Sequence, residues 1–244
     1  MKAFSLEILA QTASFRNPEF QNFHKTLELP PPTTVIGFAG AALGLSPKMA
    51  QDFFDTGNFQ IGIAGYSDGR MRDTWKYNKR TSSMHVYDPL LDGSVIQKEY
   101  LVHNQFFLVF CNEDETRLER LRTAFQFPKF ALTMGNSDAL AKIKLISKSL
   151  DITESSTLKN CLVQGDVVGE TMRRSMDSFE FSLYQTSEPI SFDLPVRFSY
   201  KSDYGKRSVS KNDTFSFIGQ EMQLNFKVKG VKIDDLFIPI SVLA

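Results

Sequence analysis

Hydrophobic and polar positions alternate from Ala3 to Leu9. Phe4, Leu6 and Ile8 fall on one face and Ser5 and Glu7 on the other, which predicts a first strand. Residues 11–29 lose the pattern and read as a loop with a turn at Asn17-Pro18. A helical period then runs from Thr33 to about Leu45, followed by a second short helix in "SPKMAQDFFD", with Ser46 as N-cap and Pro47 in the first turn. "NFQIGIAGYS" (58–67) predicts a strand and "KEYLVHNQFFLVFC" (98–111) a longer one. "EDETRLERLRTAF" (113–125) predicts a helix whose first turn is acidic, as the helix dipole favours. Pro128 ends it, and "FALTM" (130–134) reads as a strand closed by Gly135.

Strand, helix, strand, strand, helix, strand is the ferredoxin-like order, which RNA-recognition domains also use. The expected class is therefore α+β: a ferredoxin-like (RRM-like) domain over residues 1–150 and a smaller, mostly β domain over 151–244. The second domain would be built from "FEFSLY", "ISFDLPVRFSY", "FSFIGQEMQLNFKV" and "LFIPISVL". Residues 68–97 form a basic, turn-rich insertion where a tight hairpin would ordinarily join the middle strands.

Charge changes this picture only locally. The 244 residues carry 28 basic and 28 acidic side chains, a balance that argues against a freestanding nucleic-acid binder. Yet "RMRDTWKYNKR" (70–80) holds five Lys/Arg against one Asp, and so does "RFSYKSDYGKRSVSK" (197–211). Cys111 and Cys161 lack metal-ligand spacing and read as free thiols of a reducing cytosol. Glu7 and Gln11 interrupt what a signal peptide would need to be apolar, and no stretch is long enough to span a membrane, so the expected location is cytoplasmic.

Most catalytic and cofactor signatures are missing. His24, His85 and His103 have no ligand spacing, so neither metal nor other cofactor is expected. The glycines of "PPPTTVIGFAGAALG" do not follow the dinucleotide fingerprint, and there is no nucleophile elbow. Two compatible readings remain for that stretch. Gly37, Gly40 and Gly44 let the helix pack closely, and the start of the helix offers an anion its free amides, with Thr33 and Thr34 supplying a cap hydroxyl. In "ASFR", Arg16 is either a two-pronged phosphate clamp or a solvated loop residue. In the insertion, Arg70, Arg72, Lys76, Lys79 and Arg80 alternate with Trp75 and Tyr77, the mixture of cations and flat rings that holds single-stranded RNA. Arg197, Lys201, Lys206, Arg207 and Lys211 form a second patch, readable as a solvated hairpin or as a second contact.

"ASFR", "PPPTTVIGFAGAALGL", "QKEYL" and "FALTMGNSDAL", spread over about residues 3–145, resemble the CRISPR-associated Cas-five family of the RAMP superfamily, and its type I-B branch most. The resemblance implies a non-catalytic RNA-binding subunit of a Cascade surveillance complex, supporting DNA targeting in antiviral defense. Such a subunit caps the 5′ handle of the guide RNA from a ferredoxin-like palm with a protruding thumb. Its partners would be the guide RNA, the backbone filament subunit and the large subunit that reads the flanking DNA motif, with target DNA met only through the complex. By position the insertion is the thumb hairpin. The RNA-binding set carried over is Ser14, Phe15, Arg16, Thr33, Thr34, Gly37, Arg70, Arg72, Trp75, Lys76, Lys79, Arg80, His85 and Lys98, with Lys98 standing where many members carry arginine. The rival readings are a metal-independent endoribonuclease that processes precursor guide RNA, for which His85, Tyr77, Tyr87 and Lys79 are candidates, and a protein-only scaffold.

Overall fold

A computed structural model of the chain describes residues 1–20, 23–77, 94–175 and 190–242. The opening alternation forms β1 (Lys2–Ala13). After a two-residue strand, β2 (Phe23–His24), come α1 (Pro32–Leu43) and α2 (Pro47–Gly57). The long strands β3 (Gln60–Tyr77) and β4 (Ser94–Asn112) follow, then α3 (Glu115–Gln126) and β5 (Ala141–Ile146). The rest is β6 (Ile152–Leu158), β7 (Cys161–Gln164), α4 (Val167–Ser175), β8 (Ile190–Tyr200), β9 (Arg207–Ile218), β10 (Met222–Ile233) and β11 (Leu236–Val242). The result is α+β with one large sheet and few helices. Its main path runs β5-β1-β4-β3-β11-β10-β6, so strands from beyond residue 150 continue the sheet begun by the first 150. "FEFSLY" lies outside the described residues.

Period-two patterning buries both faces of this sheet. Phe4, Leu6 and Ile8 of β1 join Phe106, Leu108 and Phe110 of β4 and the helix residues Phe38, Phe54 and Phe125 in one cluster. Phe110 is the hub: its ring lies 5.4 Å from those of Phe4 and Phe125 and 6.1 Å from that of Phe54. Each such aromatic pair adds about 0.5–1.5 kcal/mol to the area it buries. The neighbouring positions Ala3, Val109 and Cys111 face the opposite way, into a second cluster with Cys161, Ile218, Val231 and Ile238. Both cysteines are free and buried, and burial pushes each thiol up to about 12.

The helix starts follow the sequence, with Ser46 Oγ accepting from the Met49 amide and Asp114 Oδ1 from Thr116 and Arg117. The last strand does not. "FALTM" forms only an isolated bridge, Thr133 to Leu140, and the strand comes later as β5. The amides of Lys129 and Phe130 are instead donated to the orphan carbonyls of Ala42 and Ala41 at the end of α1, at 3.0 and 3.2 Å. Residues 11–29 are also more ordered than the loop expected. β1 reaches Ala13, and β2 pairs parallel with β4, Phe23 to Gln97 and His24 to Lys98. The strand expected to end at Ser67 runs to Tyr77, and β3 and β4 stay paired from Gln60–Cys111 to Tyr77–Ser94.

The β8–β9 hairpin is tied to α2 at one residue. Gln51 donates to the Phe198 carbonyl at 3.0 Å and accepts from its amide at 2.9 Å. Arg197 reinforces this with an ion pair to Asp55 at 2.9 Å.

Candidate nucleic-acid interface

The proline-led stretch assigns its residues differently from the sequence expectation. Pro31, extended at φ −67° and ψ 159°, is itself the N-cap of α1, and no side chain caps the helix. The amides of Thr34 and Val35 return to the Pro31 carbonyl, and Pro32 has no N–H to satisfy. Thr33 and Thr34 therefore sit inside the first turn, and their hydroxyls are not caps. They line a cavity of about 260 Å³ with Gly37, Gly135 and Arg207.

The three glycines do three separate jobs rather than forming one packing face against the sheet. A Cβ on Gly37 would meet nothing within 4 Å, so this glycine opens the cavity wall. A Cβ on Gly40 would lie 2.6 Å from the Ala50 Cβ, so that glycine lets α1 and α2 touch. Gly44 ends the helix in the left-handed region, φ 74°.

In "ASFR" only the arginine faces outward. Ser14 Oγ donates to the Glu99 carbonyl at 2.8 Å. Phe15 is 2% exposed, its ring edge-on to Phe106 at 5.6 Å. Both side chains serve the frame, holding the end of β1 against β4. Arg16 is exposed and bridges to Thr26, and among the described residues it has no ion-pair partner.

At the root of the β3–β4 ladder the basic residues divide between two faces. Arg70 is engaged: Nη1 donates to Glu99 Oε2 at 3.0 Å, and Nη2 pairs with Glu28. This removes it as a free phosphate ligand. Arg72 lies over the Phe23 ring at 5.2 Å, and Lys76 is exposed. On the other side Lys98 Nζ sits 4.3 Å from the Trp75 ring and 5.2 Å from the Tyr100 ring, so one indole face is already covered. Trp75 Nε1 donates to Asp73 Oδ2 at 2.9 Å. Lys98 is 8% exposed, and burial holds its pKa below the ordinary value against the pull of Asp138 and Asp73. Burial above all, with Asp138 next, pushes Tyr100 up to about 12, and its hydroxyl meets Asp138 Oδ2 at 3.3 Å. Lys79, Arg80 and His85 lie outside the described residues.

Two residues outside the RNA-binding set expected from the sequence join this surface. His24 registers with Lys98, and its imidazole is held below its ordinary pKa by burial first, then by Arg16 and Lys98. A two-residue parallel strand leaves no periodicity to reveal that pairing. Arg207, read from the sequence as part of a solvated hairpin or a second contact, is brought by the docked β8–β9 hairpin to the start of α1, its guanidinium 4.5 Å from the Phe198 ring. The other cations of that patch divide. Arg197 is paired, Lys211 lies 3.7 Å from Asp213, and Lys201 and Lys206 are exposed.

Among the described residues no three His, Cys, Asp or Glu side chains group as metal ligands, and no helix is long and apolar enough to cross a membrane. What the arrangement can do is hold an anionic chain. Arg16, His24 and Lys98 come from three segments to one place, beside the half-buried Trp75 ring.

Comparison with known proteins identifies a family and a fold. A family profile described as CRISPR-associated protein (Cas_Cas5) matches residues 5–210. No curated protein matches. A solved structure described as a CRISPR RNA-guided surveillance complex shares 13% identity, with 91% of each chain covered and a TM-score of 0.53. A crystal structure of a CRISPR protein from Archaeoglobus fulgidus shares 11% identity over 99% of this chain and 100% of that one, with a TM-score of 0.52. At these identities the two structures speak for the fold.

Proposed function

Because the chain belongs to the CRISPR-associated protein (Cas_Cas5) family, we propose that it is a non-catalytic RNA-binding subunit of a type I CRISPR effector complex, holding the 5′ handle of the guide RNA. The observation that carries this reading is geometric: β2 sets His24 beside Lys98 of β4, and the Arg16–Thr26 bridge brings Arg16 to the same short segment. Basic side chains drawn from three segments onto one surface suit an anionic chain. In this reading β1, β3, β4 and β5 with α1 and α3 are the ferredoxin-like palm, and the paired ends of β3 and β4 root a thumb spanning residues 68–97. Phosphates lie along Arg16, His24 and Lys98 toward the cavity of Thr33, Gly37 and Arg207. The Trp75 ring takes a base on the face away from Lys98. The remaining surface meets the backbone filament subunit and the large subunit that reads the flanking DNA motif, in the cytoplasm where guide and target are found.

The test is a titration of the purified chain with labelled handle RNA over a range of salt. Joint replacement of Arg16 and Arg207 by Ala is expected to weaken binding and to flatten the salt dependence by about two counterions. An unchanged slope overturns the placement of the RNA. Specific cleavage of labelled repeat RNA in EDTA overturns the non-catalytic role and makes the chain a processing endoribonuclease. An absorbance ratio at 260 and 280 nm typical of protein alone in the purified complex leaves a protein-only scaffold.

A further inference from the structure

On the opposite side of the segment carrying Arg16 and His24 is a cavity of about 590 Å³. That volume falls in the range of roughly 300–1,000 Å³ typical of small-molecule sites. Neighbouring residues of one pair of strand-like segments divide between the two sides. His24 registers with Lys98 on one face of the ladder, whereas Lys25, Asn17 and, from β3 and β4, Arg70 and Leu101 line the cavity on the other. The Asn17 amide donates to the Lys25 carbonyl at 2.9 Å, so the wall between the two sides is a hydrogen-bonded pair of backbones.

The chemistry of the cavity differs from that of the phosphate surface. Arg70 is held by Glu28 and by the buried Glu99, and Lys25 lies over the Phe20 ring. A phosphate would have to compete with two carboxylates for the guanidinium. The apolar walls come from Leu27, Leu29 and Phe217. Along β3 the cavity is lined by Gly65, Tyr66, Ser67, Gly69 and Arg70, and at Gly69 an added Cβ would meet only Val102. An uncharged planar ring with a polar edge fits this combination, with its faces against the aliphatic and aromatic walls and its edge toward Arg70 and Glu28.

We propose that this cavity takes one unstacked nucleobase of the single-stranded RNA whose phosphates run over Arg16, His24 and Lys98. The proposal rests on the functional reading above and adds a base-specific element to it. The strand passes the Arg16–Asn17 wall, its sugar-phosphate chain stays on the charged side, and one base turns through to the neutral side.

The experiment uses the full chain and short handle RNAs in which each position in turn carries an abasic site. One position is expected to lose about tenfold in affinity, in line with the contribution of a single stacked base. Gly69 offers a second arm, since a Cβ there meets only Val102 Cγ2, at 3.7 Å. Gly69→Leu is expected to weaken the intact RNA by the same factor and to leave the critical abasic RNA bound as tightly as by the parent. A flat abasic scan overturns the proposal without any variant. Equal binding of intact RNA by Gly69→Leu and the parent overturns it too. In both cases the salt dependence of binding survives. Loss of that salt dependence in the parent chain instead overturns the functional reading beneath it.

Discussion

Arg70 crosses the β3–β4 ladder to Glu99, Nη1 to Oε2 at 3.0 Å, and that carboxylate is only 7% exposed. The same oxygen accepts from the Thr26 amide at 3.2 Å. Arg70→Ala would leave a nearly buried anion with one neutral donor. The guanidinium is itself one-third exposed, so the loss falls short of a fully buried pair: about 1–3 kcal/mol of unfolding free energy. Urea denaturation checks this, and an unchanged midpoint would reduce the pair to an ordinary surface contact. A joint alanine replacement across the insertion that includes Arg70 therefore mixes folding with RNA binding.

The glycines of the first helix should respond with opposite signs. Gly37→Ala gains helix propensity and meets nothing, so it stabilises by about 0.5–1 kcal/mol. Gly40→Ala forces α1 away from Ala50 and costs about 1–3 kcal/mol. Gly135→Ala is worse than either, because its Cβ would lie 1.9 Å from the Ser14 carbonyl oxygen at φ +95°. Thermal melts of the three variants rank them, and destabilisation by Gly37→Ala would refute the open wall.

His24 gives the surface a pH dependence with two signs. Its pKa in the folded chain is lowered from 6.5, so the unfolded chain binds the proton more readily. The stability tied to His24 is thus whole above about pH 6.5 and falls as pH drops below it. RNA acts the other way, since phosphates beside the imidazole favour its charged form. Affinity is expected to rise as pH falls from about 8 to 6, and His24→Gln is expected to flatten that rise. A parent titration with no pH dependence in this window would remove His24 from the contact.

Much of the frame was legible because it is written in local patterns. The alternation of Phe4, Leu6 and Ile8 and the caps at Ser46 and Asp114 each depend on neighbours within a few residues. What escaped depends on partners far along the chain. "FALTM" has strand composition, yet the amide of Phe130, with that of Lys129 before it, goes to the end of α1, and Met134 donates to Ala139 in a tight turn. Phe15 and Ser14 sit beside an exposed arginine in sequence but point into the frame, through contacts with residues 91 and 85 positions away. The same holds for the site. The positive charge of residues 70–80 was visible, but that Glu99 pairs with Arg70 and that Lys98 covers one face of Trp75 follows from the register of β3 on β4, and that Glu28 joins Arg70 follows from the path of the loop after β2.

Arg207 depends on the longest of these connections, the docking of the β8–β9 hairpin on α2, and the two arginines of that hairpin should separate function from stability. Arg207 is exposed, and its only described aromatic contact is Phe198, so Arg207→Ala should cost less than about 1 kcal/mol of stability. If it supplies a phosphate contact, it should also lower the salt slope of RNA binding by about one, and Arg207→Lys should restore that slope. Arg197 pairs with Asp55 beneath the hairpin and does not line the cavity of Thr33, Gly37 and Arg207. Arg197→Ala should cost about 1–2 kcal/mol and weaken RNA binding only through looser docking, with Gln51→Ala acting in the same direction. Measuring stability and salt slope on the same preparations decides the matter: a slope that falls with Arg197→Ala and not with Arg207→Ala would reverse the two roles.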